Sequence, residues 1–477
     1  MMLLHSKSGD LAALWRRMQM DGFPVAMYVD KAFHRRKRLY RGLVPQFDSW
    51  DVAAASRPEA IVFDMVGYGE RADDLRRHIP IWGAGRAQDC LELNRGHGFA
   101  IMQQAGIRIP HTVIFNPQRG VPAQSINLTG PGRLHWAKGH VAEARRFVLA
   151  SGIRWVLKPY GHAVTSLTYV AKSPEDMDRR LGEVEDKQEI KPDHPFILQA
   201  FVQGTEISTE IWVQHGEIIP ELTNWTIETK RFMNGDVGSN TGCQTSAVGF
   251  YRNPRTPIFQ KTMGLPGFLQ WLRQPTGPDG ETFLPYHGPL DFNQIISDSD
   301  GEPYGLEWTP RHGYSAIYAL AELIDESFYD LWLRAAQGRL RNVRTRQGVG
   351  FAVRVSIPPY PGAEEFDDKK DPQGFAALME LATNISILGP TDDRRIWLLD
   401  AKLEKGKMVT AGADGVILEA TGRGPTIDAA ARIAYAMVKR VQVADAQYRT
   451  DGAEDADKRL RKVLAKGYEG PTEALAA

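Results

Sequence analysis

A lysine stands at the end of an apolar segment that is typical of a buried strand, Trp155-Val156-Leu157-Lys158. A charge at such a position must find a partner or shift its pKa. One interpretation is that Lys158 binds a phosphate group of a nucleotide. The alternative is that its long side chain reaches solvent from the end of the strand. This segment alone leaves both interpretations open.

A linker with a following acid lies further along the chain. A strand predicted at 196–198 leads into Gln199 and Phe201, and Glu206 follows after a glycine. The backbone of such a linker can bind the edge of an adenine ring, and the carboxylate can accept hydrogen bonds from ribose hydroxyls. A plain hairpin turn is the alternative.

Glycines and small polar residues occur together between Asp236 and Gly242. Spaced glycines beside Asn240 and Thr241 offer backbone N–H groups to an anion, and Lys230 precedes them. We therefore regard this segment as a candidate anion-binding loop. A solvated glycine turn is the alternative, and it is the commoner one for a single match.

The region 284–309 predicts two paired strands around a turn, which would bring Asn293, Glu307 and Thr309 together. Their oxygen atoms suit Mg²⁺, which takes one or two carboxylates and completes its shell with phosphate oxygens. Arg311 would then lie where charge develops on a transferred phosphoryl group. The alternative is an exposed hairpin with an ion pair between Glu307 and Arg311, which contributes little.

The elements that would position these residues indicate an α/β fold. Strands that alternate with helices over about the first 90 residues predict a parallel sheet. Segment 116–138 is rich in proline and glycine and predicts an inserted loop. One long helix is predicted over 314–338, and Thr426 is predicted to cap another. We expect the charged chain after about 452 to be frayed.

The composition restricts the class of protein. The chain has 477 residues with 58 basic and 58 acidic side chains, a balance that excludes a globally basic nucleic-acid binder. Two cysteines, Cys90 and Cys243, exclude a disulfide scaffold and a Cys-rich zinc module. No apolar run approaches the roughly 18 residues of a membrane span. We expect about three domains, a cytoplasmic location and no membrane partner.

The order of the segments resembles the ATP-grasp superfamily: a strand lysine, a linker with an acid, a glycine-rich segment, and an oxygen-rich strand pair with an arginine. Within it, the chain is similar to the phosphoribosylamine–glycine ligase family, whose signature loop resembles segment 236–242. The further segments that match are 91–95, 106–110, 360–362, 415–421, 426–441 and 448–451. The resemblance covers nearly the whole chain, from about residue 2 to 452.

The resemblance implies an N-terminal parallel α/β domain, a two-lobed ATP-grasp body and a small C-terminal α/β module. The boundaries that we predict are 1–94 for the N-terminal domain, 95–335 for the body, 336–452 for the C-terminal module and 453–477 for a charged tail. Within the body, the lid lobe would cover about 113–200, including the insertion at 116–138.

The resemblance also implies roles for the candidate residues. Those that would bind ATP are Arg95, Lys158, Thr165, Ser166, Gln199, Phe201 and Glu206. Those that would bind Mg²⁺, with Mn²⁺ as an alternative ion, are Glu307, Asn293 and Thr309. Those that would act in catalysis are Arg311, Lys230 and Asn240. Those that would bind the other substrates are Lys7, Ser8, Gly9, Asp236, Thr241 and Gly242.

The implied activity is ATP-dependent formation of an amide, in which a carboxylate is first converted to an acyl phosphate. The acid would be glycine or another amino acid, and the amine would be phosphoribosylamine. The partners are therefore small molecules, and we expect a monomer or a homodimer.

Several positions depart from the family pattern. The phosphate lid at 161–167 lacks the expected glycine-lysine-glycine sequence, Thr309 replaces an asparagine, and the amine-binding loops at 5–10 and 66–70 are altered. Two alternatives therefore stay open: the same chemistry on a different nucleotide-linked amine, and an ATP-binding paralogue with weak catalysis that acts as a regulator or scaffold. A nucleic-acid partner is the least favoured alternative and depends on the basic run at 31–41.

Overall fold

The structure is a computed structural model. It describes residues 1–7, 9–30, 39–161, 167–251, 256–362, 383–389 and 394–468. Within these ranges the chain forms three main sheets with helices packed on them, which confirms the prediction of an α/β fold.

The first sheet is parallel and has four strands. Their spatial order is Val25–Val29, Met2–Ser6, Ala60–Phe63 and Ile81–Trp82. The helices that alternate with them or follow them are Ala12–Met20, Trp50–Ala55, Gly69–Leu75 and Arg86–Leu93. The prediction for the first 90 residues is therefore confirmed, and the loops after the strands open at the carboxyl edge of the sheet, where parallel sheets bind ligands.

The second sheet has six strands. Their order is Val121–Pro122, Leu134–Lys138, Thr112–Asn116, Phe196–Ala200, Trp155–Pro159 and Tyr169–Val170. Helices Val141–Ser151 and Pro174–Asp186 bury their apolar faces against it.

The prediction that 116–138 forms a loop is wrong for much of the segment, whereas its status as an insertion stays a prediction. The segment contributes the edge strand Val121–Pro122, the neighbouring strand Leu134–Lys138 and the 3₁₀ turn Ala123–Ser125. Leu134–Lys138 pairs in parallel with Thr112–Asn116. Because Leu134–Lys138 is mostly half-buried and follows a proline- and glycine-rich stretch, its local sequence gives only a weak strand signal.

The third sheet has nine strands, and every pair in it is antiparallel. The main path is Pro303–Thr309, Gly288–Ser297, Gly204–Gln214, Asn224–Met233, Val237–Phe250, Val349–Ser356, Val416–Gly424 and Ile396–Leu398, and Glu217–Ile218 pairs with Gly204–Gln214. The predicted strand pair in 284–309 is confirmed. Three strands of the predicted C-terminal module continue this sheet.

The remaining elements flank the sheets. The helices are Arg95–Gln104, Pro257–Gln260, Pro266–Arg273, Ala316–Ala321, Phe328–Ala336, Ile427–Val438 and Gly452–Ala465, and two 3₁₀ turns are Pro220–Leu222 and Asn234–Asp236. Two short strand pairs join Ser386–Ile387 to Val441–Gln442 and Ala401–Glu404 to Lys407–Thr410. Thr426 caps its helix as predicted, accepting from the Ala429 N–H. No helix in the described ranges has both the length and the apolar character that a membrane crossing needs.

The prediction of one helix over 314–338 is wrong, because the segment forms Ala316–Ala321 and Phe328–Ala336 with a break between them. Ser327 ends the break, since its side chain accepts from the Asp330 N–H and starts the second helix. Leu323 and Ile324 within the break are buried like the two helices, so the apolar pattern of the sequence does not show where the first helix ends.

The prediction that the chain frays after 452 is also wrong. Residues Gly452–Ala465 form a helix that buries Ala456, Leu460 and Val463 in the core. These residues recur at a helical spacing of three to four, but charged residues dominate the other faces and hide the pattern. This helix reaches the candidate site.

Three tryptophans join the N-terminal sheet to the nine-stranded sheet. Trp82, Trp212 and Trp332 are each at most 1% exposed. The ring centroids of Trp82 and Trp212 lie 5.2 Å apart, and those of Trp212 and Trp332 lie 4.9 Å apart. Such buried aromatic contacts contribute packing and dispersion energy, and they hold the N-terminal sheet against the nine-stranded sheet.

Candidate active site

A cavity of about 1210 Å³ lies between the six-stranded and nine-stranded sheets and extends to the N-terminal loops. Every candidate residue that the structure describes lines it, namely Lys7, Gly9, Arg95, Lys158, Gln199, Phe201, Glu206, Lys230, Asp236, Asn240, Thr241, Gly242, Asn293, Glu307, Thr309 and Arg311. Ser8, Thr165 and Ser166 lie outside the described residues, as does most of the basic run at 31–41. The sequence therefore identified a single site, although the roles of its residues remain predictions.

Lys158 projects into this cavity from strand Trp155–Pro159, which pairs with Phe196–Ala200. Its Nζ lies 3.5 Å from the backbone oxygen of Leu306 on the opposite sheet. Burial lowers the pKa of Lys158 to about 8, and Arg95 adds to this effect while Glu307 opposes it. The ammonium group is thus incompletely compensated, which favours the binding of an anion.

Glu307 lies opposite Lys158 and forms an ion pair with Arg95, with 3.5 Å between Oε2 and Nη2. Burial raises the pKa of Glu307, but Arg95, Lys158 and Lys230 outweigh burial and hold it at about 2. Arg95 also donates to the Pro159 oxygen at 3.3 Å. One carboxylate therefore lies among several cations, and it stays ionised at any physiological pH.

Arg311 does not form the ion pair with Glu307 that a simple hairpin would predict. Its Nη2 lies 3.4 Å from Glu92 Oε1, and its guanidinium stacks on the ring of Tyr314 at 4.3 Å. Its buried Nε atom has no hydrogen-bond partner among the described residues. Arg311 is therefore fixed in place with bonding capacity left for a ligand.

Oxygen atoms gather where strands Gly288–Ser297 and Pro303–Thr309 pair. Asn293 lies opposite Glu307, and Asp291 lies opposite Thr309. Asn293 Nδ2 donates to Asp291 Oδ2 at 3.0 Å and to Thr309 Oγ1 at 3.2 Å. The predicted grouping of Asn293, Glu307 and Thr309 is therefore present, and Asp291 joins it.

Asp291 is a residue that the sequence reasoning missed. It is 9% exposed, and burial together with Glu228 and Glu210 raises its pKa well above the ordinary value. A carboxylate in this position needs a cation or a proton. The sequence feature that could have identified it is a single acidic residue within strand Gly288–Ser297, which has no other charged side chain.

Lys230 links three acidic or amide groups in the cavity. Its Nζ lies 3.5 Å from Glu206 Oε2, 3.5 Å from Asn293 Oδ1 and 4.0 Å from Glu228 Oε2. Burial lowers the pKa of Lys230, but Glu206 and Glu228 outweigh this effect and raise it above the ordinary value. An irregularity in the pairing on either side of Arg231 interrupts the strand beside Lys230. The lysine stays charged.

The linker after Phe196–Ala200 has fewer unpaired hydrogen-bonding groups for a ligand than the sequence predicts. Gln199 uses its side-chain nitrogen to donate to Thr112 Oγ1 at 3.1 Å, and the Phe201 N–H donates to the Arg154 oxygen at 2.9 Å. The Arg154 guanidinium covers the Phe201 ring at 3.8 Å. Val202 also lines the cavity, and its N–H has no partner in the described part of the chain. An adenine edge would therefore meet Val202 rather than the Gln199 amide or the Phe201 N–H.

The prediction that 236–242 forms a glycine loop is wrong. Most of this segment belongs to strand Val237–Phe250, and only Asn234–Asp236 forms a turn. Asp236 accepts from Arg449 Nη1 at 2.8 Å, which ties the turn to the C-terminal segment. Thr241 donates to the Lys230 oxygen at 2.8 Å. Much of this motif therefore positions its neighbours, and its role in binding substrate remains a prediction.

The C-terminal helix contributes residues that the sequence reasoning missed. Asp455, Lys458, Arg459 and Lys462 line the cavity, and Arg459 Nε donates to Asp455 Oδ2 at 2.9 Å. Arg459 is close enough to help Lys230 lower the pKa of Glu206, against the effect of burial. Glu206, the predicted ribose acceptor, therefore lies close to a helix that carries several basic side chains.

The N-terminal loop is held from below by a buried carboxylate. Ser6 Oγ donates to Asp64 Oδ2 at 2.5 Å and accepts from the Gly9 N–H at 2.6 Å. Burial, assisted by Asp10, raises the pKa of Asp64 to about 7. Gly9 has a φ of +86°, a conformation that favours glycine. Lys7 and Gly9 both line the cavity, and the Gly9 N–H is held by Ser6.

Comparison with solved structures identifies the class. No family model matches the chain. A phosphoribosylamine–glycine ligase from Thermotoga maritima superposes with a TM-score of 0.67 and 21% identity, over 94% of this chain and all of that one. A biotin carboxylase from Campylobacter jejuni, solved with a β,γ-ATP ligand, gives 0.59 and 13% over 98% and 97%. The chain has the ATP-grasp fold.

Sequence comparison narrows this result. The phosphoribosylamine–glycine ligase of Ralstonia nicotianae is 26% identical over 433 residues, which cover 86% of this chain and 87% of that protein. The same enzyme of Thermotoga maritima is 26% identical over 267 residues, or 54% and 56% of the two chains. This ATP-grasp chain is a divergent relative of the phosphoribosylamine–glycine ligases.

Proposed function

We propose that the chain is an ATP-dependent carboxylate–amine ligase. The observation that carries this proposal is the convergence of Arg95, Lys158, Lys230 and Arg311 around Glu307 in one cavity between two sheets. Such a cluster offers cations to a triphosphate and a carboxylate to its metal ion. The acid is an amino acid, and the relatives are named for glycine.

The residues that line the cavity suggest how the reaction runs. Lys158 and Arg95 hold the phosphates of ATP, and Glu206 accepts from the ribose. A carboxylate oxygen of the acid attacks the γ-phosphorus, and ADP leaves. Arg311 and Lys230 offset charge on the transferred group. The neutral amine nitrogen then attacks the carbonyl carbon, the bond from that carbon to the phosphate oxygen breaks, and the nitrogen gives up a proton to the leaving phosphate, so that an amide bond forms.

The oxygen cluster suits a magnesium ion. No group of three His, Cys, Asp or Glu side chains forms a metal site among the described residues. Mg²⁺ needs fewer protein ligands, since substrate phosphates and water complete its shell. Glu307 and the buried Asp291 would hold it, with Asn293 beside them. The ion would neutralise phosphate charge and polarise the transferred group.

No nucleophilic side chain is required, and neither cysteine offers one. Burial raises the pKa of Cys243 to about 12, and burial raises the pKa of Cys90 to about 11. Both thiols therefore stay protonated near neutral pH, and the thiolate is the nucleophilic form. This agrees with direct activation of the acid by ATP.

The test is ADP release, measured with ATP and Mg²⁺ across the amino acids, with and without candidate amines. We expect one acid to stimulate ADP release, and an added amine to stimulate it further. ADP release that no acid changes would contradict the proposal and favour an ATP-binding paralogue with weak catalysis.

A different amine remains the second candidate, and Tyr68 favours it. In the altered loop at 66–70, the Tyr68 hydroxyl donates to Asp30 at 2.7 Å and its ring packs 4.3 Å from that of His5. A bulky, fixed side chain thus occupies a turn near the expected amine site. We expect the chain not to restore growth without purines to a bacterium that lacks its phosphoribosylamine–glycine ligase. Growth at the normal rate would restore the standard amine.

A further inference from the structure

A buried arginine interrupts a largely apolar strand in the wall of the cavity. Strand Val349–Ser356 is buried along its whole length, and Arg354 is 7% exposed within it. An ion pair in such a place is commonly no more stabilising than apolar residues of the same volume. Packing alone therefore gives no reason for an arginine here.

The hydrogen bonds of Arg354 leave one nitrogen unused. Nε donates to Glu419 Oε1 at 2.8 Å, and Nη2 donates to Ser315 Oγ at 3.1 Å. Nη1 has no hydrogen-bond partner among the described residues, although Arg354 lines the cavity. The guanidinium is thus held rigidly at two corners, and its third corner is available to a ligand.

Three neighbours connect this nitrogen to the reaction site. A Cβ atom at Gly242 would lie 3.9 Å from Arg354 Nη1 and 3.4 Å from the ring of Tyr314, so the missing side chain leaves the approach open. Tyr314 in turn carries the stacked guanidinium of Arg311. Arg354 therefore lies beyond Arg311, along the wall formed by Tyr314.

Tyr360 adds a second donor at this end of the cavity. Its hydroxyl accepts from Gln244 Nε2 at 3.1 Å, so its own proton remains available to another acceptor. Tyr360 lies close enough to act on the charge of Arg354. A guanidinium N–H and a phenol O–H on one wall form a site for a carboxylate.

We propose that Arg354 and Tyr360 bind a second carboxylate of the acid substrate, which is therefore a dicarboxylic amino acid. The reacting carboxylate lies at Arg311, and the second one reaches past Tyr314 to Arg354. This inference rests on the proposed ligase function and narrows its acid from amino acids in general to those with two carboxylates. Arg354 acts in specificity, because it contacts the substrate away from the reacting atoms.

The test compares acids with their uncharged amides. Binding of aspartate, asparagine, glutamate, glutamine and glycine is measured by calorimetry, with and without a non-hydrolysable ATP analogue and Mg²⁺. One dicarboxylic acid should bind about 10-fold or more tightly than its amide and than glycine. In Arg354→Lys the same preference should fall to about 3-fold or less, since a lysine lacks the fixed, branched donors.

Two further variants guard against a folding effect. Arg354→Met leaves the Glu419 carboxylate buried without its partner, so the double variant Arg354→Met with Glu419→Gln removes both charges together. Arg423→Met is the matched control, since this exposed arginine lies on the paired strand Val416–Gly424. The double variant should lose the acid preference, and the control should keep it.

The outcomes separate this inference from the ligase proposal. If the unmodified chain does not bind the ATP analogue at all, the ligase proposal is contradicted. The binding of acids measured without nucleotide would still decide the role of Arg354. Glycine binding as tightly as either dicarboxylic acid would overturn the inference. So would a preference for one dicarboxylic acid that the Arg354→Lys variant and the double variant both retain.

Discussion

Arg95 and Glu307 form an ion pair that spans two parts of the fold, with 3.5 Å between Nη2 and Oε2. Arg95 begins helix Arg95–Gln104, whereas Glu307 lies on strand Pro303–Thr309. In the proposed reaction the arginine binds phosphate and the carboxylate binds the metal ion. Without a ligand, each of the two charged groups therefore compensates the other. When a metal–nucleotide complex binds, its phosphates would pair with Arg95 and its metal ion would pair with Glu307.

Lys158→Met should weaken the binding of a non-hydrolysable ATP analogue. Loss of one charge-assisted hydrogen bond costs about 1.5–3 kcal/mol, or roughly 10- to 100-fold in Kd. Calorimetry measures the change, and Lys172→Met is the control because this lysine is exposed outside the cavity. Equal affinity of the Lys158 variant and the unmodified chain would remove Lys158 from the phosphate site.

Nucleotide binding should take up a proton at pH 8.5 to 9. The pKa of Lys158 is about 8 without a ligand, so the lysine is largely neutral in this range. A bound phosphate favours the charged form and raises the pKa, so affinity should fall as pH rises through 8. Calorimetry in two buffers with different ionisation enthalpies measures the uptake. A heat that is independent of the buffer, or unchanged in Lys158→Met, would contradict this assignment.

The lowered pKa of Lys158 also makes the free energy of unfolding depend on pH. The pKa of Lys158 is about 8 in the folded chain, below the ordinary value of 10.5 that we assign to the unfolded chain. Between these values the unfolded chain binds more protons, so the contribution of Lys158 to the free energy of unfolding rises with pH. Below pH 8 the lysine is charged in both states, and its burial opposes folding.

Glu307→Gln should abolish most turnover with little effect on the fold. The substitution removes the charge that would bind the metal ion but keeps the size of the side chain. The ion pair with Arg95 is partly exposed, but the other cations around Glu307 also lose a counter-charge, so the melting temperature should fall modestly while the chain still folds. ADP release and thermal melting are the two measurements. A near-normal rate would mean that the metal site lies elsewhere.

The C-terminal helix should be part of the folded unit. Leu460 is fully buried, and Leu460→Ala should cost about 2–5 kcal/mol of unfolding free energy. Arg461→Ala, on the exposed face, should cost far less, since Arg461 forms only a surface ion pair with Asp457. Urea denaturation compares the two variants. Equal stability would show that residues 452–465 do not pack as described.

Local sequence was sufficient to predict much of the site. Lys158 ends a strand whose apolar pattern is plain, and the turn at Ser299-Asp300-Gly301 correctly pairs the strands that hold Asn293 and Glu307. In each case the signal lies within about ten neighbouring residues. Such short-range patterns fix which face of a strand a side chain occupies.

The missed features depend on contacts between distant segments. In the sequence, Arg354 is a single charge with no visible partner. Its surroundings follow from the sheet, in which strand Val349–Ser356 lies between Val237–Phe250 and Val416–Gly424. The helix Gly452–Ala465 is set by the core that it covers, because its own sequence is mostly charged. Neither the partner of a buried charge nor the surface that stabilises a polar helix can be derived from local periodicity.

The central claim is that ATP activates a carboxylate in the cavity, and trapping with hydroxylamine tests it most directly. Hydroxylamine attacks the carbonyl carbon of an acyl phosphate and releases phosphate, so no natural amine has to be known. With ATP, Mg²⁺ and the correct acid, we predict hydroxamate in equal amount to ADP, and a strongly reduced yield in Arg311→Met. ADP release without hydroxamate from any acid would contradict the account.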